Sequence, residues 1–431
     1  MNTVFTFKER ILLYTFLILF ATGFVPHEAA DYKIYVAAGR VIIDDHKNPY
    51  AEEDMIELEP DGRLTNHAQY RYAPIFGMAL YPFSLLPKPI YVFLWLFLNA
   101  FLIVKTLLLF REFFPKLLHD KKAFLVTAFF SIALTHRFIG INFELGQTTP
   151  LLVFLSFYSL KLSRENKNIT AGLMLAIAII IKIMPLVLIV YFVFRGNIKT
   201  PIFAVLWTVF LVLLPVIFIG WDYNSYLIQE WYKIVSPASA EYALETKTGI
   251  INLSALIYSY FTAMPDSTVE GKRNILNLSY ETAAIITNIL RGMLISFTLY
   301  FTRWTPFKKQ QNETRAFWEF GYISLIFPLI FPAQNVYSLF FLFPAAFYLS
   351  YYLYLNVLKK GSNWRTHKPF LVVLALYLAL THLTSANIVN RHMYQQVEFF
   401  KIVTFGIFIL LISYTLIKPK MIINSKKDKD E

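Results

Sequence analysis

The stretch AGLMLAIAIIIKIMPLVLIVYFVF, residues 171–194, is long and apolar enough to enter a membrane, yet it carries Lys182 and, three residues later, Pro185. A lysine at the centre of a membrane helix costs roughly 2.5–3.5 kcal/mol on insertion scales. Such a residue is expected to face an anionic group or a watery cavity. The other reading is a lysine whose stem carries its charge to the outer interface; the cost of a mid-segment charge favours the first. Pro185 lacks a backbone N–H and cannot continue a helix, so the stretch is predicted to break between Lys182 and Pro185. Breaks at membrane depth are tolerated where they line a cavity.

The composition agrees. The chain is 57% hydrophobic and only 16% charged, outside the usual globular mix. Apolar runs predict helices at about 8–26, 89–110, 123–140, 148–162, 169–195, 200–220, 282–302, 316–332, 336–358, 369–386 and 399–418. The expectation is an all-α polytopic membrane protein of about 11–12 transmembrane helices. Period-2 strands of a β-barrel are absent from this pattern. The formal net charge of +12 falls mostly in short loops between spans, as a membrane protein places it, and implies no nucleic-acid partner. The chain has no cysteine, which excludes disulfides, thiolate metal sites and cysteine nucleophiles.

Two connections are long and carry an excess of Asp and Glu: the loop 27–88 and the loop 221–281. The short connections and the tail 419–431 are basic. Lys and Arg collect in cytoplasmic loops, which places both long loops outside and both termini in the cytoplasm. Parity then requires that PIFGMALYPFSLLP (74–87) lie at the interface and that 169–195 go in and come back. The alternative lets each of these segments span once. Between the two long loops stands a helical module, 89–220, and a C-terminal group of helices covers 282–418.

The first outer loop holds DYKIYVAAGRVII, an amphipathic pattern with Asp31 at its N-terminal end. A lone Asp at such a place ordinarily caps the helix. Its position beside a bundle that contains a membrane lysine makes it a candidate general base. Lys182 is the candidate counter-charge for a developing phosphate anion; His136 and Arg137, just before NFELGQTTP, are further cations at an outer end. Asp44, Asp45 and His46 read as a solvated turn. No Walker loop, GxGxxG fingerprint or HExxH motif occurs, and the one D-x-D pair, Asp428 and Asp430, is part of the charged tail. No metal or other cofactor is expected.

The order of short motifs resembles glycosyltransferase family 87, membrane enzymes of the GT-C fold that use polyprenyl-phosphate sugars. Asp31 with Tyr35 and Ala38, then Pro49-Tyr50, resembles the first-loop pattern of that family. YRYAPIFGMALYPFSLLP with Trp95 and Asn99, then Gly146-Gln147, Ala171-Gly172 with Lys182-x-x-Pro185, and Asn252-Leu253-Ser254 are similar to its later motifs. The chain departs from the pattern at Thr149, where the family often has Asn, and at FPAQNVY (331–337), where it commonly carries His.

The resemblance implies an inverting hexosyltransferase of the cell membrane, of mannosyltransferase type. Its donor is a polyprenyl-phosphate sugar and its acceptor a lipid or glycan. Asp31 would be the base. Lys182, Arg137 and His136 would hold the donor phosphate, and Tyr35, Gly146, Gln147, Asn252, Gln334 and Asn335 would contact substrate. A lipid-linked sugar flippase is the alternative, since broken helices and a membrane lysine also suit transporters. The length of the outer loops and the lack of a visible internal repeat weigh against it.

Overall fold

A computed structural model describes residues 4–51, 70–236, 249–263, 269, 271–303, 305–359 and 364–423. The tail residues Asp428 and Asp430, and the middle of each long loop, lie outside the described residues. About three quarters of the described residues are helical, and no β-strand occurs among them. Five helices are long and apolar enough to cross a membrane: Phe7–His27, Lys88–Arg111, Lys199–Ile219, Tyr280–Thr302 and Val336–Leu358. The bent pairs Lys121–Ala133 with His136–Leu145 and Arg391–Phe399 with Ile402–Leu416 raise the number to seven. This is fewer than the apolar runs suggested, because prolines and polar residues cut several of them into helices too short to cross alone.

The chain divides into two units. Unit 1 comprises Met1–Leu109, Gly140–Ser239 and Phe307–Lys309; unit 2 comprises Phe110–Ile139, Ala240–Pro306 and Gln310–Glu431.

Unit 1 begins with α1 (Phe7–Phe24), started by a capping box in which Thr6 and Glu9 satisfy each other's backbone N–H groups. Most of its apolar side chains, Leu12, Phe16 and Leu19 among them, are exposed, as a lipid-facing helix requires. Next, α2 (Ala30–Ile43) packs on α3 (Pro74–Ser84). The approach is close enough that a Cβ on Gly39 would lie 2.5 Å from the Gly77 carbonyl oxygen. At 11 residues, α3 is roughly 16 Å long and does not span a hydrocarbon core of about 30 Å. It is followed by α4 (Lys88–Arg111).

The remainder of unit 1 folds out and back. Helix Thr149–Arg164 turns into helix Asn168–Ile181, antiparallel to it, with the Ser159 hydroxyl donating to the Ala171 carbonyl at 2.8 Å. The helix then stops at Ile181. Continuing it would lose a hydrogen bond to that residue's carbonyl and drive the Pro185 ring against it. Lys182 takes an extended backbone, a short 3₁₀ turn covers Met184–Leu186, and Val187–Phe194 is helical again.

Side-chain bonds show where this second segment leads. Asn197 Nδ2 donates to Ser163 Oγ at 2.6 Å and to Asn168 Oδ1 at 3.0 Å, and Thr200 Oγ1 donates to Asn168 Oδ1 at 2.9 Å. A Cβ on Gly172 would lie 2.6 Å from Phe203 Cβ. Residue 197 has therefore returned to the level of residue 168, and helix Lys199–Leu213 runs parallel to Asn168–Ile181. The predicted in-and-back path of 169–195 is what the chain follows.

Two ends of unit 1 result. One gathers the turns at 165–167 and 195–198 with residues 307–309, where Arg195 donates to the Lys308 carbonyl and Phe307 N to the Phe194 carbonyl. This end is rich in Lys and Arg. At the far end of the 199–219 span, helix Trp221–Val235 meets the first long loop: the Tyr223 hydroxyl donates to the Lys47 carbonyl, and its ring stacks on His46 at 5.4 Å.

Unit 2 is built around helix Glu313–Ile330, buried at every position from Ala316 to Ile330, and helix Phe343–Leu353, buried throughout. Aromatic rings fill the space between them and their neighbours, with Phe110 and Phe114 each 5.0 Å from Phe317. Glu319, the one buried acid among the described residues of this unit, is satisfied by Arg315 Nε at 3.0 Å and Gln310 Nε2 at 3.1 Å.

A valine at Gly172 has to displace Phe203 and the backbone at Ala204. Gly172→Val is expected to destabilise unit 1 by about 1–3 kcal/mol, read as a lower midpoint of thermal unfolding in detergent. In the cysteine-free chain, Asp45→Cys and Asn166→Cys are expected to react with an impermeant thiol reagent from opposite sides of a sealed vesicle. Reaction from the same side would overturn the two-ended arrangement.

Candidate active site

The path of the chain sets the site. From the Ser159–Ala171 contact, the antiparallel register carries Lys182 back to the level of Thr148, one residue from Gln147. Gly146 and Gln147 form the turn that enters helix Thr149–Arg164. Gly146 has φ +67°, and a Cβ there would lie 2.6 Å from Ala29 Cβ and 2.7 Å from Tyr32 Cβ. Only glycine combines that backbone with that approach. It lets the turn sit against the start of α2, where Asp31 projects. Trp95 of α4 locks the arrangement. Its Nε1 donates to the Gly146 carbonyl at 2.8 Å, and its ring stacks on Tyr32 at 4.5 Å and 7°.

Asp31 does not cap its helix. The N-cap is Ala29, in a left-handed conformation and without a side-chain bond. The carboxylate instead accepts a hydrogen bond on Oδ2 from Gln147 Nε2. The amide is oriented in turn: Gln147 Oε1 accepts from the Tyr35 hydroxyl at 3.4 Å, and that hydroxyl lies 2.7 Å from the Tyr72 hydroxyl. Tyr50 donates to the Tyr72 carbonyl at 2.8 Å. Burial raises the Asp31 carboxyl above the usual carboxylate range, while the Gln147 bond and the Lys182 ammonium pull it back. The sequence-predicted acid, amide, tyrosine and lysine of unit 1 thus form one constellation: Asp31, Gln147, Tyr35 and Lys182, with Gly146 as its hinge. Such an acid can accept a proton from a hydroxyl, and the lysine can offset nearby negative charge.

Two further described acids near Asp31 have partners of their own. Asp44 ends α2 and accepts from the Tyr81 hydroxyl at 2.8 Å. Glu28 binds Lys33 and Lys88 at 2.8 and 3.0 Å, which hold its carboxyl down at about 2.

In unit 2 the structure brings together Asn252, Gln334 and Asn335. Ile250 and Asn335 share an isolated antiparallel bridge, and Ile251 N donates to the Gln334 carbonyl at 2.9 Å. Asn252 caps helix Leu253–Phe261 through Ala255 N at 2.7 Å, and the Ser254 hydroxyl donates to Asn252 Oδ1 at 2.9 Å. Gln334 is buried, and its Oε1 finds no partner among the described residues.

His136 and Arg137 form a separate group in unit 2. Arg137 is buried; its Nη1 donates to the Thr381 carbonyl and, at 3.2 Å, to the Thr384 hydroxyl, which closes the end of helix Lys368–Thr381. The His136 ring lies 4.7 Å from that of His382, a buried histidine whose Nδ1 is 2.7 Å from the Thr381 hydroxyl.

Sequence reading missed two residues here. His382 follows an apolar run and carries no local signal. Arg291 did carry one, since it stands at the middle of the span Tyr280–Thr302 and incurs the same insertion cost, roughly 2.5–3.5 kcal/mol, that singled out Lys182. Among the described residues no cluster of three or more His, Asp or Glu side chains could hold a metal ion.

Comparison with known proteins bears on these residues. The model of the family described as glycosyltransferase family 87 matches residues 70–332. No curated protein and no solved structure matches the chain. The matched stretch contains Trp95, Gly146, Gln147, Lys182, Asn252 and Arg291, while Asp31 and Tyr35 lie before it and are tied to it by the Gln147 amide. With more than half of its length matched by the family model, this multi-pass helical protein belongs to glycosyltransferase family 87.

Proposed function

We propose that the protein transfers a hexose, of the mannose type, from a polyprenyl-monophosphate sugar to a lipid or glycan acceptor at the outer face of the cell membrane, with inversion at the anomeric carbon. The observation that carries this reading is the half-buried Asp31 carboxylate, held by Gln147 and within the field of Lys182. The excess of acid in the two long loops supports the outer location, and the basic short connections support cytoplasmic termini.

In this mechanism Asp31 takes the proton of the acceptor hydroxyl through the oxygen that Gln147 leaves open. The acceptor oxygen bonds to the anomeric carbon from the face opposite the phosphate. The bond from that carbon to the phosphate oxygen breaks, and its electrons leave with the lipid phosphate. Lys182 offsets the developing charge. The sugar acquires oxocarbenium character on the way, as in glycoside hydrolysis. Tyr35 keeps the Gln147 amide in the orientation that donates to Asp31. Gly146 keeps the turn close.

Asp31→Asn is expected to lower transfer at least about 100-fold, measured with a radiolabelled polyprenyl-phosphate sugar. Since the folded carboxyl titrates above its unfolded value, the stability of the protonated form is complete at low pH and fades as pH rises through the folded value. The neutral amide avoids that loss, so the Asp31→Asn variant should melt no lower than wild type at neutral pH. Transfer should also fall as pH drops through the Asp31 pKa. Lys182→Met removes a charge that lowers this pKa, so its acid limb is expected at higher pH, with kcat/KM for the donor reduced about 100-fold or more. An unmoved acid limb would separate Lys182 from Asp31.

A further inference from the structure

Arg291 is the twelfth of the 23 residues of helix Tyr280–Thr302, which puts its Cα roughly 16 Å from either end. Its guanidinium is partly buried against helix Leu253–Phe261. Nη2 donates to the Ser254 hydroxyl at 3.0 Å, and Nη1 donates to Asn288 Oδ1 at 3.3 Å. Nε is buried and without a hydrogen-bond partner among the described residues, and none of their carboxylates forms an ion pair with this arginine. The contrast with Arg315 in the same unit is direct, since that guanidinium is paired with Glu319 at 3.0 Å. Arg291 thus brings a full positive charge to membrane depth with neutral partners only. Of its five N–H donors, two are directed at uncharged oxygens.

Its surroundings are those of a head group. The Ser254 hydroxyl that receives Arg291 passes its own proton to Asn252 Oδ1, so serine and cap move with the arginine as one hydrogen-bonded chain. One residue before that cap, Ile251 is bonded to the Gln334 backbone, and Gln334 carries a buried acceptor oxygen with no donor among the described residues. An uncompensated cation and an open acceptor on adjoining segments suit a ligand with an anionic oxygen and a hydroxyl.

We propose that Arg291, with Ser254 and Asn252, holds the phosphate of a lipid-borne reactant inside the membrane, and that Gln334 accepts a hydroxyl of the same head group. The site rests on the transferase reading above. Arg291 is a binding residue in this account, and Ser254 is a positioning residue that aims it.

The test uses the purified full chain in detergent with three probes: a polyprenyl monophosphate, the corresponding polyprenol, and phosphatidylglycerol. Binding is measured by native mass spectrometry. Wild type is expected to bind the monophosphate at least about tenfold more tightly than the alcohol. Arg291→Gln, which keeps a donor for Ser254 but loses the charge, should lose most of that preference, and Arg291→Lys should retain part of it. Should Arg291→Gln fail to fold, Ser254→Ala gives the same readout with a smaller loss. A preference that survives in folded Arg291→Gln overturns the inference and leaves the transferase reading standing. Equal competition by phosphatidylglycerol makes the site a general phospholipid contact and also overturns it. A wild type that binds monophosphate and alcohol alike removes the inference and the proposed donor together.

Discussion

A single amide holds the candidate site together. Gln147 accepts from Tyr35 on one side and donates to Asp31 on the other, so the acid of the first loop and the turn into helix Thr149–Arg164 become one body. The bond is possible because Gly146 has no side chain where Ala29 and Tyr32 press against it. Trp95 then fixes the Gly146 carbonyl and stacks on the tyrosine next to Asp31. Remove the close turn and the carboxylate loses both its hydrogen bond and its place near Lys182.

The membrane environment makes charge placement informative. An ion pair such as Arg315 with Glu319 is closed on itself: the fully buried acid has two donors, and the arginine also reaches the Phe301 carbonyl at 2.8 Å. Such a pair offsets its own desolvation and holds helices in place. Lys182 and Arg291 behave differently. Lys182 stands where a helix breaks and acts on a carboxylate raised by burial. Arg291 stays inside an unbroken helix and leans on hydroxyl and amide oxygens. In both cases a cation stands at a place where an apolar residue costs less, which is the ground on which each is proposed to handle an anionic group.

Much of this was readable in the residues, and each success has a local cause. The break after Ile181 follows from Pro185, and the amphipathic 30–43 helix from its pattern. Asp31 was singled out by position, and its carboxylate lies against Gln147 while Ala29 stands at the N-cap. The failures were of two kinds. Arg291 was passed over in spite of a signal as strong as that of Lys182. His382, the orientation of Gln147 and the function of Trp95 had no local signal, because each depends on a partner between 1 and 246 residues away in the chain.

The sequence by itself determined that this is an all-helical membrane protein, that its helix breaks between Lys182 and Pro185, and which acid and lysine merit attention. Those properties are set by hydropathy, proline stereochemistry and the expense of burying charge, all of which act over a few residues. Tertiary structure decided that 168–181 and its continuation run out and back, so that Lys182 returns to the level of Gln147 and Asp31. It also decided that the loop residues Asn252 and Gln334 lie side by side. Contacts of that kind depend on the register between packed helices and on the absence of a single Cβ at Gly146, and no local pattern encodes either one.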